Sequence, residues 1–284
     1  MSLLERVLAA PTLGCALSFQ GFVRYRQARE HALGVPFVLL HGIGSGSGSW
    51  IEQLQDDSLG RVLAWDAPGY ADSSVLKPDH PSASDYGQVL WAWLDALGVE
   101  TVHLVGHSLG CIMAAGAARL QPGRIASLSL LSPAQGYGTA PAELREKKSQ
   151  ERLQAMATLG LQKMAEQRAP RLLSPTATAD QIALATYMMA HLNEGGYTQA
   201  THLLANANIR ADLQAFAASS TAPTQVACGE QDVITPPQAC RELATALNLP
   251  YLNLPNAGHL CAMQAPEAVS QALRSISKQG VSHA

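Results

Sequence analysis

Charge is scarce in this chain, and neither sign dominates. Asp, Glu, Lys and Arg make up 14% of its 284 residues, and 22 acids against 19 Lys and Arg leave a formal charge of −3. That balance carries no basic footprint and excludes a nucleic-acid binder held by phosphate contacts. Cysteine is sparse and odd in number, with Cys15, Cys111, Cys228, Cys240 and Cys261 and no C-x-x-C pair. This argues against a disulfide framework or a zinc site and suits a reducing cytoplasm. No apolar run is long enough to span a bilayer. Met1–Ser18 is rather apolar, but Glu5 and Arg6 interrupt it, Pro11 breaks it, and no positive segment precedes a continuous apolar run, so no signal peptide is expected. Internal repeats and low-complexity tracts are missing as well.

What the chain has in quantity is apolar side chain, 47% of all residues, ample for a large core and contrary to disorder. The length fits one large α/β domain with an inserted subdomain better than two unrelated domains. The expected partner is a small molecule, with no nucleic acid, membrane, metal or organic cofactor; homodimerisation stays open.

Ser18–Arg26 alternates apolar and polar residues, as an antiparallel edge strand would. Pro36–Leu40 is short and wholly apolar, the pattern of a strand covered on both faces, and a glycine-rich loop, HGIGSGSGSW at His41–Trp50, follows at once. Arg61–Asp66 reads as the next buried strand, ending in Ala67-Pro68-Gly69. Asp85–Leu97 has helical spacing with Gly98 as its stop. Thr101–Gly106 reads as a strand, Leu109–Leu120 as a helix stopped by Pro122 and Gly123, and Ile125–Leu131 as a strand. This alternation implies a parallel sheet with crossover helices. It stops from about Ala140 to Phe216, where only helical patterns occur, and resumes with the strand Thr224–Cys228, a helix near Pro237–Leu247, the strand Tyr251–Leu254 and a helix near Pro266–Ile276. The expected division is a core over 1–139, a helical insertion over 140–216 and the rest of the core over 217–284.

Gly106-His107-Ser108-Leu109-Gly110 matches G-x-S-x-G with a strand before it and a helix after it, the context a nucleophile elbow requires. The serine sits on a sharp strand-to-helix turn, the glycines allow close approach of the two elements, and the helix N-terminus brings partial positive charge to a developing oxyanion. The N–H of Leu109, just after the serine, supplies one oxyanion donor. A serine hydroxyl is a weak nucleophile at neutral pH and needs a base, itself held in one tautomer by an acid. The glycine-rich loop fits neither G-x-x-x-x-G-K-[ST] nor G-x-G-x-x-G with an acid about 20 positions on, so it is not read as a nucleotide loop. Asp66, in its D-x-P-G turn, is read as an acceptor of backbone N–H bonds. Trp50 and Met263 are read as lining the pocket or as plain core.

In order and spacing, HGIGSGSGSW, DAPGYADSS at Asp66–Ser74, VGHSLGC at Val105–Cys111, GEQDVITPP at Gly229–Pro237 and NAGHL at Asn256–Leu260 resemble the α/β-hydrolase superfamily over nearly the whole chain. Cys111 and Ala71 depart from it, standing where many relatives have glycine. The resemblance implies a mostly parallel eight-stranded sheet with helices on both faces and an inserted all-helical cap. It implies His259, in the loop after the last strand, as general base. His41 is then a loop-shaping residue, His107 points away from the serine hydroxyl, His103 is packed, and His31, His80, His191, His202 and His283 are solvated or helix-surface residues. It implies Asp232 as the acid in the chain order Ser, Asp, His, with Glu230 as competitor; Ser132-Pro133-Ala134, the other place some relatives put the acid, holds no carboxylate. It implies the N–H of Ile43, with Gly44 as alternative, as second oxyanion donor.

Haloalkane dehalogenases and epoxide hydrolases of this fold use aspartate at the elbow, so Ser108 speaks against both. Ala207–Pro237 is modestly similar to the corresponding region of 3-oxoadipate enol-lactonases and related carboxylesterases, which implies a small ester or lactone substrate. Meta-cleavage product hydrolases, which split a carbon–carbon bond, share HGxGxG…W and the helical cap and are the main alternative. They commonly carry tryptophan after the histidine and asparagine before the serine, where this chain has Leu260 and His107. Arg168, Arg171 and Arg210 could each anchor a carboxylate, with a surface position the blander reading. An acyltransferase, a thioesterase and a triad-bearing binding module complete the alternatives.

Overall fold

The computed structural model describes residues 1–17 and 21–280. The strands are β1 Leu13–Leu17, β2 Gly21–Ala28, β3 Phe37–Leu40, β4 Val62–Trp65, β5 Val102–His107, β6 Ile125–Leu131, β7 Thr224–Gly229 and β8 Tyr251–Leu254. Among the described residues they form one eight-stranded sheet in the order β1-β2-β4-β3-β5-β6-β7-β8. β1, β2 and β4 pair antiparallel; from β4 to β8 every pairing is parallel.

β3 shows why a short apolar run must be a doubly covered strand. Val38 and Leu40 point into one core and Phe37 and Leu39 into the other, the period-two alternation of a pleated strand with no solvent face. The first core is closed by helices α3 Ala83–Ala96, α4 Leu109–Leu120, α8 Ile209–Ala217 and α9 Pro237–Ala246; the second by α2 Ile51–Gln55, α10 Cys261–Gln264 and α11 Pro266–Gly280. An ion pair at 2.8 Å, Arg119 to Asp212, ties α4 to α8.

Between β6 and β7 the regular elements are helices: α5 Ala142–Arg168, a 3-10 turn Ala169–Leu172, α6 Ala179–Ala190, α7 Glu194–Asn206 and α8. Gly160, at φ 71, breaks α5 into two segments. The N-terminal helix α1, Leu3–Ala9, begins with a Ser2–Glu5 capping box and packs Leu3 and Val7 against Leu184 and Met188 of α6 in a third cluster.

Two expectations change. The strand anticipated at Ser18–Arg26 is β2, whose first three anticipated positions lie outside the described residues, as does His283. β2 is not an edge: it pairs Leu13–Leu17 on one side and β4 on the other, so the edge is β1, in a stretch where no strand was expected. Its five-residue run, LGCAL, is too short and too little alternating to stand out beside an apolar N-terminal helix. No helix among the described residues is long and apolar enough to cross a membrane.

β3 lies between β4 and β5, so the chain leaves it toward one side of the sheet and returns on the other. Beyond the carboxyl ends of strands at such a reversal a crevice opens, where ligands bind in open α/β sheets. The glycine-rich loop follows β3, and Ser108 follows β5.

Candidate active site

β5 ends at His107 and α4 starts at Leu109, so Ser108 alone makes the turn, at φ 54 and ψ −116. A non-glycine residue there costs on the order of 1–3 kcal/mol and persists only where its surroundings over-determine it. They do: Ser108 N–H donates to the Leu131 carbonyl at 2.9 Å, and its own carbonyl accepts from Cys111 at 3.0 Å and Ala134 at 3.2 Å. A Cβ on Gly106 would meet the Gly110 oxygen at 2.5 Å, and one on Gly110 would meet the Leu40 oxygen at 2.2 Å. The glycines of the motif are therefore a contact requirement between strand and helix. Cys111 fits where relatives have glycine because its thiol turns back to the Gly106 and Leu131 carbonyls, 3.1 and 3.4 Å away.

His259 and Asp232 come from the loops after β8 and β7. His259 Nδ1–H donates to Asp232 Oδ2 at 2.8 Å, leaving Nε2 as the ring's acceptor nitrogen. Asp232 Oδ1 accepts from the N–H groups of Ile234 at 2.8 Å and Thr235 at 2.9 Å, and the Thr235 hydroxyl lies 2.8 Å from Oδ2 and 3.2 Å from His259 Nδ1. Burial alone would raise the Asp232 carboxyl. The hydrogen bond and charge of His259, with the bonds from Thr235, outweigh it and bring the carboxyl down to about 2. Glu230 is exposed, its carboxylate accepting from Asn256 N–H at 3.4 Å.

The loop after β3 is held by side chains from two turns. His41 Nδ1–H donates to the Gly42 carbonyl at 2.8 Å, and its Nε2 accepts from Ala67 N–H at 3.0 Å. Asp66 accepts from the N–H and hydroxyl of Ser47 at 2.7 and 2.9 Å, reaching the glycine-rich loop rather than its own turn. Ala71, the other departure from the family pattern, takes φ 47, the left-handed conformation that favours glycine. The Tyr70 hydroxyl donates to the Ile43 carbonyl at 2.9 Å. The N–H groups of Ile43 and Leu109 have no hydrogen-bond partner among the described residues, and both residues line the cavity that holds Ser108.

That cavity measures about 500 Å³ and brings Ser108, His259, Ile43 and Leu109 together with residues of α5, α6 and α7. Ser108, His259 and Asp232 are 7%, 4% and 3% exposed. The Ser108 hydroxyl makes no hydrogen bond among the described residues. Trp50 and Met263 are buried core, outside the cavity lining; Arg168 and Arg171 line it, and Arg210 does not. His103 is packed, 2.8 Å from the Ser127 hydroxyl; His31, His80 and His191 are exposed, and His202, half-buried on α7, stacks on His80.

Sequence reasoning gave no part in the site to two side chains close to it. Thr235 touches both members of the Asp–His pair; its place within GEQDVITPP was the available signal. His107 lies against His259 and donates Nε2–H to its carbonyl, a contact between positions 152 apart that no local pattern announces.

Residues 35–266 match the family model described as alpha/beta hydrolase fold. The dihydrolipoyllysine-residue acetyltransferase component of an acetoin cleaving system from Pseudomonas putida is 30% identical over 244 residues, 84% of this chain and 62% of its own length. The 2-hydroxy-6-oxo-6-phenylhexa-2,4-dienoate hydrolase of Comamonas testosteroni is 32% identical over 116 residues, 39% of this chain and 40% of its own length. This chain thus spans less than two thirds of either relative. A thermophilic esterase from Thermogutta terrifontis, solved with malate bound, superposes with a TM-score of 0.81 at 24% identity, covering 95% of this chain and 99% of that one.

Proposed function

Because this chain belongs to the α/β hydrolase fold family, we propose that it is a serine hydrolase cleaving a small carboxylic ester or lactone through an acyl-enzyme on Ser108. The observation that carries the reading is the 2.8 Å bond from His259 Nδ1 to Asp232 Oδ2, which leaves Nε2 as the ring nitrogen available to the serine's proton. In the proposed reaction His259 takes the Ser108 proton as the hydroxyl attacks the carbonyl. The free N–H groups of Ile43 and Leu109 hold the oxyanion. His259 then protonates the leaving group, and water, activated by the same nitrogen, releases the acid. Asp232 stays ionised and holds the ring in its tautomer. No step calls on a metal or an organic cofactor.

In this reading residues 140–216 form a helical cap over a core made of 1–139 and 217–284, supported by the lining that α5, α6 and α7 give to the cavity over Ser108. Such a cover excludes water and selects substrates. All five cysteines are free thiols, in keeping with a cytoplasmic protein.

The test is turnover of a p-nitrophenyl ester with Ser108→Ala as control. The variant should stay folded and lose about three orders of magnitude in rate. A fluorophosphonate should label Ser108 and no other residue. Near-normal turnover in the variant, with contaminating esterase excluded, overturns the assignment, and no turnover by the unaltered protein favours a binding module.

The second reading, carbon–carbon hydrolysis, is favoured by the similarity to the Comamonas testosteroni dienoate hydrolase. Comparing kcat/KM for a short ester, an enol-lactone and a 2-hydroxy-6-oxo-dienoate separates the two. A dienoate preferred by about a hundredfold, near 2.7 kcal/mol in the transition state, would displace the ester reading.

A further inference from the structure

The cavity over Ser108 carries a charge asymmetry that the acyl-transfer chemistry leaves unused. Four cations line it, Lys148, Arg152, Arg168 and Arg171, against one acid, Glu151, in a chain of formal charge −3. All five belong to residues 148–171, within α5 and the 3-10 turn after it. Lys148 is paired with Glu151 at 3.2 Å. The three arginines have no carboxylate at ion-pair distance among the described residues.

One of them is held by a buried tyrosine. Arg168 Nη1 donates to the Tyr197 hydroxyl at 3.2 Å. Tyr197 is 2% exposed and lines the same cavity; its oxygen accepts from Arg168, and its own proton has no acceptor among the described residues. A guanidinium and an oriented O–H donor are thus presented side by side. Arg152 lines the same cavity, and its charge acts on the buried Tyr70 phenol. Burial drives that phenol's pKa up, the neighbouring tyrosines add to it, and the Arg152 charge opposes them. Tyr70 in turn donates its hydroxyl to the Ile43 carbonyl. The rest of the lining includes Leu172, Met189 and Leu204, which offer the arginines no counter-charge.

Arg152 and Arg168 are half-buried, and withdrawing a cation from water without a partner is unfavourable. A carboxylate entering the cavity supplies that partner through charge-assisted, fork-shaped hydrogen bonds. We propose that the substrate carries a free carboxylate besides its scissile carbonyl, bound by Arg168 with Tyr197 and by Arg152, while the exposed Arg171 adds attraction during approach. This deepens the serine-hydrolase reading and rests on it.

The experiment compares two chromogenic esters of equal length, mono-p-nitrophenyl glutarate and its methyl-capped diester. The acid should have a kcat/KM about tenfold to a hundredfold higher, the range of a hydrogen-bonded charge, and its KM should rise with salt. Arg152→Gln and Arg168→Gln should each bring the ratio toward one, and Arg168→Lys should keep part of it. A ratio near one in the unaltered protein overturns the proposal. So does a tenfold preference for a third ester of the same length ending in phosphate, which would make phosphate the bound oxyanion. If neither glutarate ester turns over, the serine-hydrolase reading fails first. Calorimetry with glutarate then decides the anion site by itself: binding by the unaltered protein that Arg168→Gln abolishes supports it, and no binding overturns it.

Discussion

His107 Nε2 donates to the main-chain carbonyl of His259 at 2.7 Å, with the two rings 4.9 Å apart. The residue before the proposed nucleophile therefore holds the backbone of the proposed base. Replacing His107 by Ala removes this donor and leaves a buried carbonyl unpaired, which costs about 1–3 kcal/mol of stability. The expected kinetic result is a kcat reduced about tenfold or more with KM little changed, since a small misplacement of the base slows the chemical step. A variant with lowered stability but unaltered kcat would reduce His107 to a packing residue.

The same histidine gives the fold an acid liability. Burial foremost, then the neighbouring His259, lowers the His107 pKa from 6.5 to about 3. An unfolded histidine takes up its proton near 6.5 and the folded one only near 3, so the unfolded chain binds more protons between these values. Stability then falls as pH drops through that window, by up to about 1.4 kcal/mol per pH unit. Asp232, depressed from 3.8 to about 2, contributes stability that is present above 3.8 and lost as pH falls through 2. Urea midpoints measured at pH 7.5, 6 and 5 should decline steadily, and the decline should become shallower in His107→Gln, with His41 and His103, also lowered by burial, keeping the rest. A level series in the unaltered protein contradicts the neutral buried histidine.

Asp232 and Glu230 are two residues apart and separable. Asp232→Asn keeps the shape but loses the charge that fixes the His259 tautomer, so kcat should fall by about three to four orders of magnitude. Glu230→Gln, on an exposed side chain that accepts one 3.4 Å bond from Asn256, should leave kcat within about twofold. A dead Glu230 variant beside an active Asp232 variant would reverse the two roles.

Thr235 is proposed as a positioning residue. Its hydroxyl sits 2.8 Å from Asp232 Oδ2, 3.1 Å from the Ser132 carbonyl and 3.2 Å from His259 Nδ1. Thr235→Val should lower kcat about threefold to tenfold at constant KM, the loss of one bond of about 1 kcal/mol. Thr235→Ser should restore it, because the hydroxyl and not the methyl is at issue. Equal losses in both variants would point to packing instead.

Much of this architecture is legible in the chain because it depends on neighbours in sequence. The elbow is spelled by Gly106 and Gly110, whose missing side chains are demanded by carbonyls 2.5 and 2.2 Å from where a Cβ would stand. β3 announces burial on both faces through four apolar residues in a row, and the helical stretch between β6 and β7 through its periodicity. Asp66 was readable as an acceptor of backbone N–H bonds from its own turn motif; that its partner is Ser47, 19 positions away, was not.

What only the tertiary structure decides has that same character. β1 and the interior place of β2 follow from pairing between strands, not from either strand's pattern. His107 against His259, Thr235 beneath the Asp–His pair, and Arg168 beside Tyr197 are contacts across 152, 24 and 29 positions. On a helix surface an arginine reads as solvated until the fold shows which face is covered. Backbone sterics and periodicity act over a few residues and are written locally, whereas a side chain's electrostatic partners are set by how sheet and helices close over one another.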